Sequence, residues 1–305
     1  MSQFHWLSNL KRNLVSRRRC SRVSSRRLLP IVSRLLRVAE TLEDRSLLST
    51  ITVTSLSNVD AIDGVVTLSE AIQAAETDTS VDGSVAGSGA DVIEFLPSLF
   101  LGGDRILALT GPGQAVPLNG AGPTAFTIDS NITISGPTGE NGLTLNIASD
   151  FRFFQVLSTG SLKLERLSLM GGRAVGGDGG TGSLGGGGGA GLGGAIFNQG
   201  TLTVRDTYFG GNQAIGGDGG ATTGFGTDGG GGGGGLTANG SSNTSGTGGD
   251  GGSPNGGQGS AVNGVAGSNG SFGGGGGGAA LAGVPGDGLY EGQGGFGGDG
   301  GFGGG

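Results

Sequence analysis

Four charged residues, arranged as two adjacent pairs, are the part of this sequence best equipped for chemistry. Glu165-Arg166 and Arg205-Asp206 occupy the same position in two segments that align at an offset of 40 residues. Two carboxylates with a basic partner on one face of neighbouring repeats could cleave a polysaccharide by general acid-base chemistry. The same side chains could instead form an exposed ladder of charges between repeats, which contributes little energy. We favour the ladder, and therefore predict no catalytic residues.

The rest of the sequence lacks the residues that other kinds of active site need. His5 and Cys20 are the only histidine and the only cysteine, and Lys163 is the only lysine beyond residue 45. The body of the chain therefore cannot assemble a Ser-His-Asp or Cys-His arrangement, a disulfide framework or a cysteine metal site. No G-x-x-x-x-G-K-S/T motif occurs, and the many G-x-G-x-x-G matches follow from glycine content alone. The sequence predicts no bound cofactor or metal ion.

Charge divides the chain into a basic leader and an acidic body. Residues 1–45 hold 11 Lys/Arg against 3 Asp/Glu, which leaves 6 against 21 in the remainder of the 17 and 24 present. The body has no basic face with interleaved aromatic residues, so nucleic acid is not an expected partner. We interpret residues 1–48 as an export segment that is later removed. No stretch of about 20 apolar residues occurs, so no transmembrane helix is expected.

Short runs with β-branched residues or period-2 apolar alternation predict strands beyond Ser49. Gly, Asn, Asp and Pro bound each run, as is typical of all-β proteins with short connections. A β-sandwich could be built from strands of this length, but a repeat in one direction with a fixed face pattern favours a solenoid instead. The predicted strands are ITVTSL, DVIEFL, RILALT, AFTIDSNITISG, LTLNI, FFQVL, SLKLERLSL and TLTVRDTYF.

One internal repeat supports the solenoid. Residues 160–180 align with residues 200–220, with nine identities in 21 positions and conservative pairing of the apolar sites. The offset of 40 includes a glycine-rich insertion over 180–194, so the ordered part of each coil is about 20 to 25 residues long. Coils of this kind stack about 4.8 Å apart. The repeat therefore predicts that the second segment lies directly on the first.

Each repeated segment has the pattern of a coil that bends between two strands. In the first, Leu162 and Leu164 precede the Glu165-Arg166 corner, and Leu167 and Leu169 follow it, so all four leucines are expected to face inward. Leu202, Val204, Thr207 and Phe209 occupy the corresponding positions of the second.

Two asparagines are expected at turns of the solenoid. Asn198 and Asn212 could each adopt a left-handed backbone conformation and form a hydrogen bond to the counterpart position of the adjacent coil. The alternative is that both are solvated turn residues, and the sequence does not favour either interpretation.

One helix is predicted over Thr67–Glu76, in TLSEAIQAAE. Its apolar residues fall on one face, and Ser69 could cap its start. A helix placed before the first full coils would cover an open end of the strand stack.

The region from Gly216 onward is nearly half glycine with isolated apolar residues. Ordering it would cost more backbone entropy than its sparse apolar surface returns. We therefore expect residues 216–305 to be flexible.

Two motifs resemble those of known exported proteins. The stretch TLEDRSLLS, Thr41 to Ser49, resembles the LE-x-R-x-LLS motif near the N-terminus of many large exported planctomycete proteins. The site motif is GGAI, formed by Gly193, Gly194, Ala195 and Ile196, followed by F-x-x-N at Phe209 and Asn212. This pairing resembles the repeats of the chlamydial polymorphic outer membrane proteins.

Upstream elements extend this resemblance. TLSEAI is similar to the SLREAI element that opens many β-helical surface proteins, and DVIEF, Asp91 to Phe95, is similar to the strand that follows it. The resemblance implies a right-handed parallel β-helix, export, and a place at the cell surface or in the outer membrane.

These observations predict three regions: an export leader over 1–48, a parallel β-helix with an N-terminal capping helix over 49–215, and a flexible glycine-rich region over 216–305. The expected function is that of an extracellular or cell-surface structural protein, adhesin-like and without catalytic activity. Its expected partner is a surface ligand, either protein or polysaccharide, and it could associate with the outer membrane without a transmembrane helix. The alternatives are a carbohydrate-active β-helix enzyme and a truncated, non-functional fragment of a longer surface protein.

Overall fold

The computed structural model describes residues 48–111, 122–223, 229–243, 247–261 and 265–280. All of them belong to one compact unit, Arg45–Gly305. The predicted leader lies outside the described residues apart from its last position, so its role stays a prediction.

The described chain forms short strands and one α-helix. Period-2 alternation of buried and exposed residues marks the longer strands, because each pleat turns successive side chains to opposite faces. A 3-10 turn spans Pro97–Phe100, and the α-helix α1 spans Leu68–Thr77. The strands are β1 Ser49–Val53, β2 Ala90–Phe95, β3 Arg105–Leu109, β4 Thr124–Ile128, β5 Asn131–Ser135, β6 Leu143–Ile147, β7 Arg152–Val156, β8 Ser161–Glu165, β9 Ser168–Met170, β10 Arg173–Val175, β11 Ile196–Asn198, β12 Thr201–Arg205, β13 Tyr208–Gly210 and β14 Gln213–Ile215.

The strands build a parallel β-helix. Every ladder is parallel, and the chain visits the sheets in the same order in each coil. The first sheet has the order β1-β2-β5-β8-β12, the second β13-β9-β6-β3, and the third β11-β7-β4, while β10 and β14 form a separate pair. Four coils therefore begin at β2, β5, β8 and β12. The predicted fold class is confirmed, and the right-handed sense stays a prediction.

Register in the ladders confirms the repeat read from the sequence. Ser161 pairs with Thr201, Leu169 with Phe209 and Val175 with Ile215, each at the predicted offset of 40. The preceding coil is shorter, because Asn131 pairs with Ser161 at an offset of 30. The sequence did not reveal this coil as a repeat.

The core is a set of apolar rows that run from coil to coil. Ile93, Ile134, Leu164 and Val204 occupy one such row, since each pairs with the next in register. The first three are completely buried, whereas Val204 is 42% exposed. The four leucines of the first repeated segment are all buried, as predicted. Val204 is exposed because it belongs to the last coil, so nothing described here stacks on it.

The helix α1 covers the opposite end of the stack. Its apolar face belongs to the same core, and the helix packs against β1, β2 and β4. Its Glu76 carboxylate accepts hydrogen bonds from the backbone N–H groups of Asp129 and Ser130, just after β4. Since β4 is the first strand of its sheet, α1 stands where a preceding strand would lie, in agreement with the expected cap.

The residue that caps this helix differs from the expected one. Thr67, and not Ser69, occupies the N-cap: its side chain accepts from the Glu70 backbone, and the Glu70 carboxylate accepts from the Thr67 N–H. This reciprocal pair satisfies two N–H groups that the first helical turn leaves without partners. Ser69 lies inside the helix, and its hydroxyl donates to Asp60.

The insertion between β10 and β11 and the described part of the tail pack together in what we call the glycine bundle. It comprises residues 176–191, 216–223, 229–243, 247–261 and 265–280. Hydrogen bonds between its segments recur every three residues: the N–H groups of Gly177, Gly180 and Ser183 donate in turn to Gly235, Gly232 and Gly229. Three residues per turn is the period of a polyproline II helix, which has no internal hydrogen bonds and must find partners outside itself.

The segment 229–236 lies at the centre of the glycine bundle, and all its residues are buried. Its N–H groups donate in rotation to three neighbouring segments, as Gly230, Gly231 and Gly232 donate to Ser260, Leu184 and Ser241. Its carbonyl groups accept in rotation from three other segments, namely those that contain Gly180, Gly249 and Gly278. The ranges 176–191 and 247–261 each turn back and contribute two neighbours, and residues 237–243 and 273–280 contribute one each, so the central segment has six hydrogen-bonded neighbours.

Only glycine fits at positions 230–235 of this segment. A Cβ on Gly232 would lie 1.9 Å from the carbonyl oxygen of Asp250, and one on Gly231 would lie 1.8 Å from that of Gly180. In the segment 247–253 side chains recur at every third residue, at Thr247, Asp250 and Ser253, and all three are exposed. The arrangement follows the rule of the collagen axis, where contact between backbones excludes every larger residue.

We did not expect this arrangement, and the flexibility that we expected from Gly216 onward stays a prediction. That expectation set backbone entropy against apolar burial and left out hydrogen bonds between segments. The bundle also includes the insertion within the predicted β-helix region, so the described glycine-rich segments are not confined to one side of residue 215. The three predicted domain boundaries themselves stay predictions.

Candidate binding surface

The motif residues converge where the last two coils meet. Gly193 has a positive φ of 61°, and a Cβ on it would lie 2.3 Å from the Ile196 carbonyl oxygen. A Cβ on Gly194 would lie 2.3 Å from the carbonyl oxygen of Gln213, directly after the F-x-x-N motif. The carbonyl of Ala195 accepts from the N–H of Phe153 at 2.9 Å. The two motifs, separate in sequence, therefore form one tight junction.

The two asparagines behave differently. Asn212 accepts from the N–H of Gly172 at 2.8 Å and donates to the Leu169 carbonyl at 3.0 Å. Since Gly172 is its counterpart at the offset of 40, the expected link between coils is present at this position. Asn198 accepts from Gly200 within its own turn at 3.1 Å. Asn198 is therefore a local turn residue, which was the alternative interpretation.

Phe209 lies on the last coil, whereas Ile196 lies in β11, at the end of the coil that begins at β8. Ile196 pairs with Phe154 in the third sheet and packs on the core. Phe209 continues the row of Leu169 but is 40% exposed. Gly194, Phe209 and Asn212 thus join the last coil to its predecessor, whereas Ala195 and Ile196 join that predecessor to β7.

The charged corner residues lie in register on neighbouring coils, and the ion pairs at this corner lie within one coil, so the ladder between coils stays a prediction. Glu165 pairs with Arg205 in register, and both Arg166 and Asp206 have positive φ, 54° and 48°, at matching bends. The Lys163 ammonium lies 2.7 Å from the Glu165 carboxylate, and the Arg166 guanidinium lies 3.4 Å from it. The hydrogen bond from Lys163 is the main cause that lowers the pKa of Glu165 below its ordinary value.

Two hollows flank this corner, where the strands of the first sheet give way to those of the second. The first, of about 380 Å³, has an apolar floor that includes Phe95 and Phe100, with Glu94 and Glu140 at its rim. The second, of about 510 Å³, is shallower and includes Asp206 and Tyr208. The loop 137–141 and Arg166 line both hollows, so together they form one surface, which we call the corner cleft.

Arg166 is held rigidly between the two hollows. Its Nε donates to the Gly136 carbonyl at 3.2 Å, its terminal nitrogen donates to the Ser135 hydroxyl, and a third of its side chain is exposed. The loop beside it is fixed as well, because Asn141 donates to the Phe100 carbonyl at 2.7 Å and the Gly142 N–H donates to Asp104 at 2.7 Å. The corner cleft is therefore preorganised.

Sequence reasoning identified the corner charges but missed the rest of this surface. Tyr208 is 62% exposed and stands in register with Ser168, at an outward position of the repeat. An aromatic residue at a position that the register turns toward solvent was the available signal. Glu94 and Glu140 gave no such signal, because their proximity to the corner depends on a coil that was not recognised as a repeat.

A second unusual site is buried under the glycine bundle. Arg152 is 1% exposed, and its guanidinium carbon lies 5.5 Å above the Phe197 ring centroid. Removal from water lowers the pKa of Arg152 to about 10. A Cβ on Gly122 would lie 2.9 Å from this guanidinium and 3.7 Å from the Leu236 carbonyl oxygen. Arg152 thus lies where the third sheet meets the bundle. Because it is buried there, we assign it a structural role and not a ligand-binding one.

Among residues 48–111, 122–223, 229–243, 247–261 and 265–280, no group of three or more His, Cys, Asp or Glu could hold a metal ion. Over the same ranges, no helix is both long enough and apolar enough to cross a membrane.

Comparison with known proteins gives no family assignment. No family model, no curated protein and no solved structure matches this chain.

Proposed function

We propose that this protein is an exported structural protein of the cell surface, adhesin-like and without catalytic activity. The observation that carries the proposal is the continuous parallel β-helix, in which the first sheet runs through five strands without interruption. A stack of this kind is a rigid rod whose exposed corners can present a binding surface. The β-helix class itself is consistent with such a role.

The glycine bundle supports the same function. It is a second folded region beside the β-helix. Backbone hydrogen bonds between its segments take the place of side-chain packing. Both parts thus maintain their shape through arrays of backbone hydrogen bonds. Such a body suits the display of a ligand site, here a site for a protein or polysaccharide.

The electrostatics of the corner support a non-catalytic role. A general acid for glycosidic cleavage needs a raised pKa so that it holds a proton near neutral pH. Lys163 and Arg166 act in the opposite direction on Glu165, whose pKa is lowered. If a polysaccharide is incubated with the protein, we expect no cleavage, and a Glu165→Gln/Asp206→Asn double variant should behave identically. Cleavage that the double variant loses would establish the enzymatic alternative.

Export is part of the proposal and rests on the resemblance of Thr41 to Ser49 and of the GGAI and F-x-x-N motifs to exported proteins. Association with the outer membrane, without a transmembrane helix, belongs to the same proposal. The experiment is to label intact cells with a membrane-impermeant amine reagent. Lys163 is suited to this labelling, because its side chain is 42% exposed and no other lysine follows residue 45.

After labelling, the protein is denatured, digested with trypsin and analysed by mass spectrometry for the modified peptide spanning 153–166. Modification in intact cells, with cytosolic proteins unmodified, is the expected result. A Lys163→Arg variant preserves the positive charge and should lose the signal. Modification that appears only after lysis would overturn the surface location.

A further inference from the structure

We propose that the corner cleft binds a neutral or amine-bearing polysaccharide chain. The proposal deepens the adhesin-like function above, because it names the chemical class of the ligand. It concerns the two hollows beside the charged corner. From the sequence alone, the charges of this corner were predicted only to form an exposed ladder.

The shape of the cleft fits an extended polymer. Its lining comes from four successive coils, with Glu94 in the first, Ser135 in the second, Arg166 in the third and Tyr208 in the fourth. Strands in a ladder lie about 4.8 Å apart, so three steps extend over about 14 Å along the helix axis. A surface of this length that follows the axis suits a chain of sugar units better than a single small molecule.

The side chains of the cleft fit a sugar ring. The exposed ring of Tyr208 offers an apolar face with a polar tip, on which the C–H face of a pyranose can pack. Carboxylates of Glu140 and Asp206 can accept hydrogen bonds from hydroxyl groups, and the exposed edge of Arg166 can donate them. An apolar platform beside fixed donors and acceptors is the usual make-up of a site that orients a polar ligand.

The charges of the cleft select among polysaccharides. Glu94, Glu140 and Asp206 contribute three carboxylates, whereas Arg166 is the cation that lines both hollows and already contacts Glu165. Three acidic side chains disfavour a chain of uronic acids, because like charges would face each other across the interface. Neutral sugars or amino sugars meet no such repulsion.

A peptide fits this surface less well. Extended peptides bind to β-proteins mainly by adding a strand to a free sheet edge. At the corner cleft β2, β5 and β8 are each paired on both sides, whereas β12 and β13 are the terminal strands of their sheets. Along the first three coils a peptide would therefore have to bind through side chains alone.

The test is affinity electrophoresis of the purified full chain in gels that contain a soluble β-glucan, chitosan or polygalacturonate. We expect retardation by the β-glucan or chitosan and none by polygalacturonate. Tyr208→Ala should weaken the retardation at least tenfold in apparent affinity, whereas Tyr208→Phe should preserve it, because the ring and not the hydroxyl supplies the platform. Phe272→Ala is the control and should leave the retardation unchanged, since this aromatic is also part-exposed but lies in the glycine bundle, outside the cleft.

Each other outcome would overturn the proposal. These outcomes are no retardation by either favoured polymer, retardation by polygalacturonate alone, or equal retardation of wild type and Tyr208→Ala with both folded by circular dichroism. Binding of unstructured casein in place of the polymers would make the cleft a peptide site. The gels use purified protein and test only the ligand of the cleft. The labelling of Lys163 on intact cells tests the surface location, so the two proposals can fail separately.

Discussion

The β-helix and the glycine bundle achieve close packing in two different ways. Both pair backbone donors and acceptors with neighbouring segments, as in the ladder of β8 with β12 and in the six neighbours of the segment 229–236. The β-helix fills the space between its strands with apolar side chains such as Leu164, whereas the bundle removes the side chains so that the backbones themselves touch. Close packing can therefore come from complementary side chains or from the absence of side chains. Added atoms should destabilise mainly the bundle, and removed atoms should destabilise mainly the β-helix.

The largest expected effect comes from adding one methyl group at the centre of the bundle. Gly232→Ala would place its Cβ 1.9 Å from the Asp250 carbonyl oxygen, with backbone on every side, so the segments must separate. We expect a loss of at least about 4 kcal/mol of bundle stability, in the exceptional range for one substitution. Hydrogen exchange should show that residues 229–261 lose protection while β12 keeps it.

Gly219→Ala is the matched control for this prediction. The nearest atom to its Cβ lies at 3.8 Å, so the bundle should tolerate it. Equal exchange in the two variants would contradict the account of the bundle as a backbone-only packing.

Removal of atoms should have its largest effect in the β-helix. Leu164→Ala opens a cavity in a completely buried row, which we expect to cost about 3 kcal/mol. Val204→Ala changes the next residue of the same row, but at a position 42% exposed, and should cost less than about 1 kcal/mol. Urea unfolding followed by circular dichroism measures both. If Val204→Ala costs as much as Leu164→Ala, the last coil is covered and the stack does not end there.

The junction of the motif residues should show an intermediate effect. Asn212→Ala removes one acceptor for Gly172 and one donor to Leu169, and we expect a loss of about 1 to 3 kcal/mol. Asn198→Ala removes only a contact within its own turn and should cost a few tenths of a kcal/mol. A reversal of this order in thermal unfolding would show that the link between coils is made elsewhere.

The smallest effect concerns the cap of the β-helix and its pH dependence. Burial raises the pKa of Glu76, and the backbone N–H groups of Asp129 and Ser130 offset part of the increase. Because the folded protein then retains this proton at a pH where the unfolded chain has released it, wild-type stability falls as the pH rises from the ordinary value of 4.5 through the raised pKa. Glu76→Gln lacks this loss.

The comparison of wild type with Glu76→Gln therefore needs two pH values. Relative to the variant, wild type should be more stable at pH 4 than at pH 7, as measured by the urea midpoint of each protein at both. A difference in midpoints that is the same at pH 4 and pH 7 would show that Glu76 has an ordinary pKa in the cap.

The sequence predicted the β-helix because apolar residues alternate with polar ones along its strands, with a period of two. Alternation in SLKLERLSL and its repeat 40 residues later were sufficient to place Leu164 inside, Glu165-Arg166 at a corner and Thr201 beside Ser161. The coil between Asn131 and Ser161 escaped notice, because parallel ladders require matching faces and not matching residues. The helix cap was placed two residues late, since Thr67 and Ser69 are both good N-cap residues and only the reciprocal bond to Glu70 distinguishes them.

The glycine bundle escaped prediction for a different reason. Its period is three, and in a run such as Gly229 to Gly235 no side chain displays that period. The signal lay in the outer segments, where Thr247, Asp250 and Ser253 recur at every third position between glycines. The corner cleft depends on contacts between loops of different coils, so only its charged corner could be predicted.

The contents of the two interiors also set how each region responds to temperature. Unfolding the β-helix exposes apolar side chains and so raises the heat capacity, whereas unfolding the bundle exposes mainly peptide groups, whose contribution has the opposite sign. Stabilisation by apolar burial weakens on cooling. The free energy of the bundle should consequently vary with temperature with little curvature. Cooling should therefore not weaken the bundle in the way that it weakens the apolar core of the β-helix.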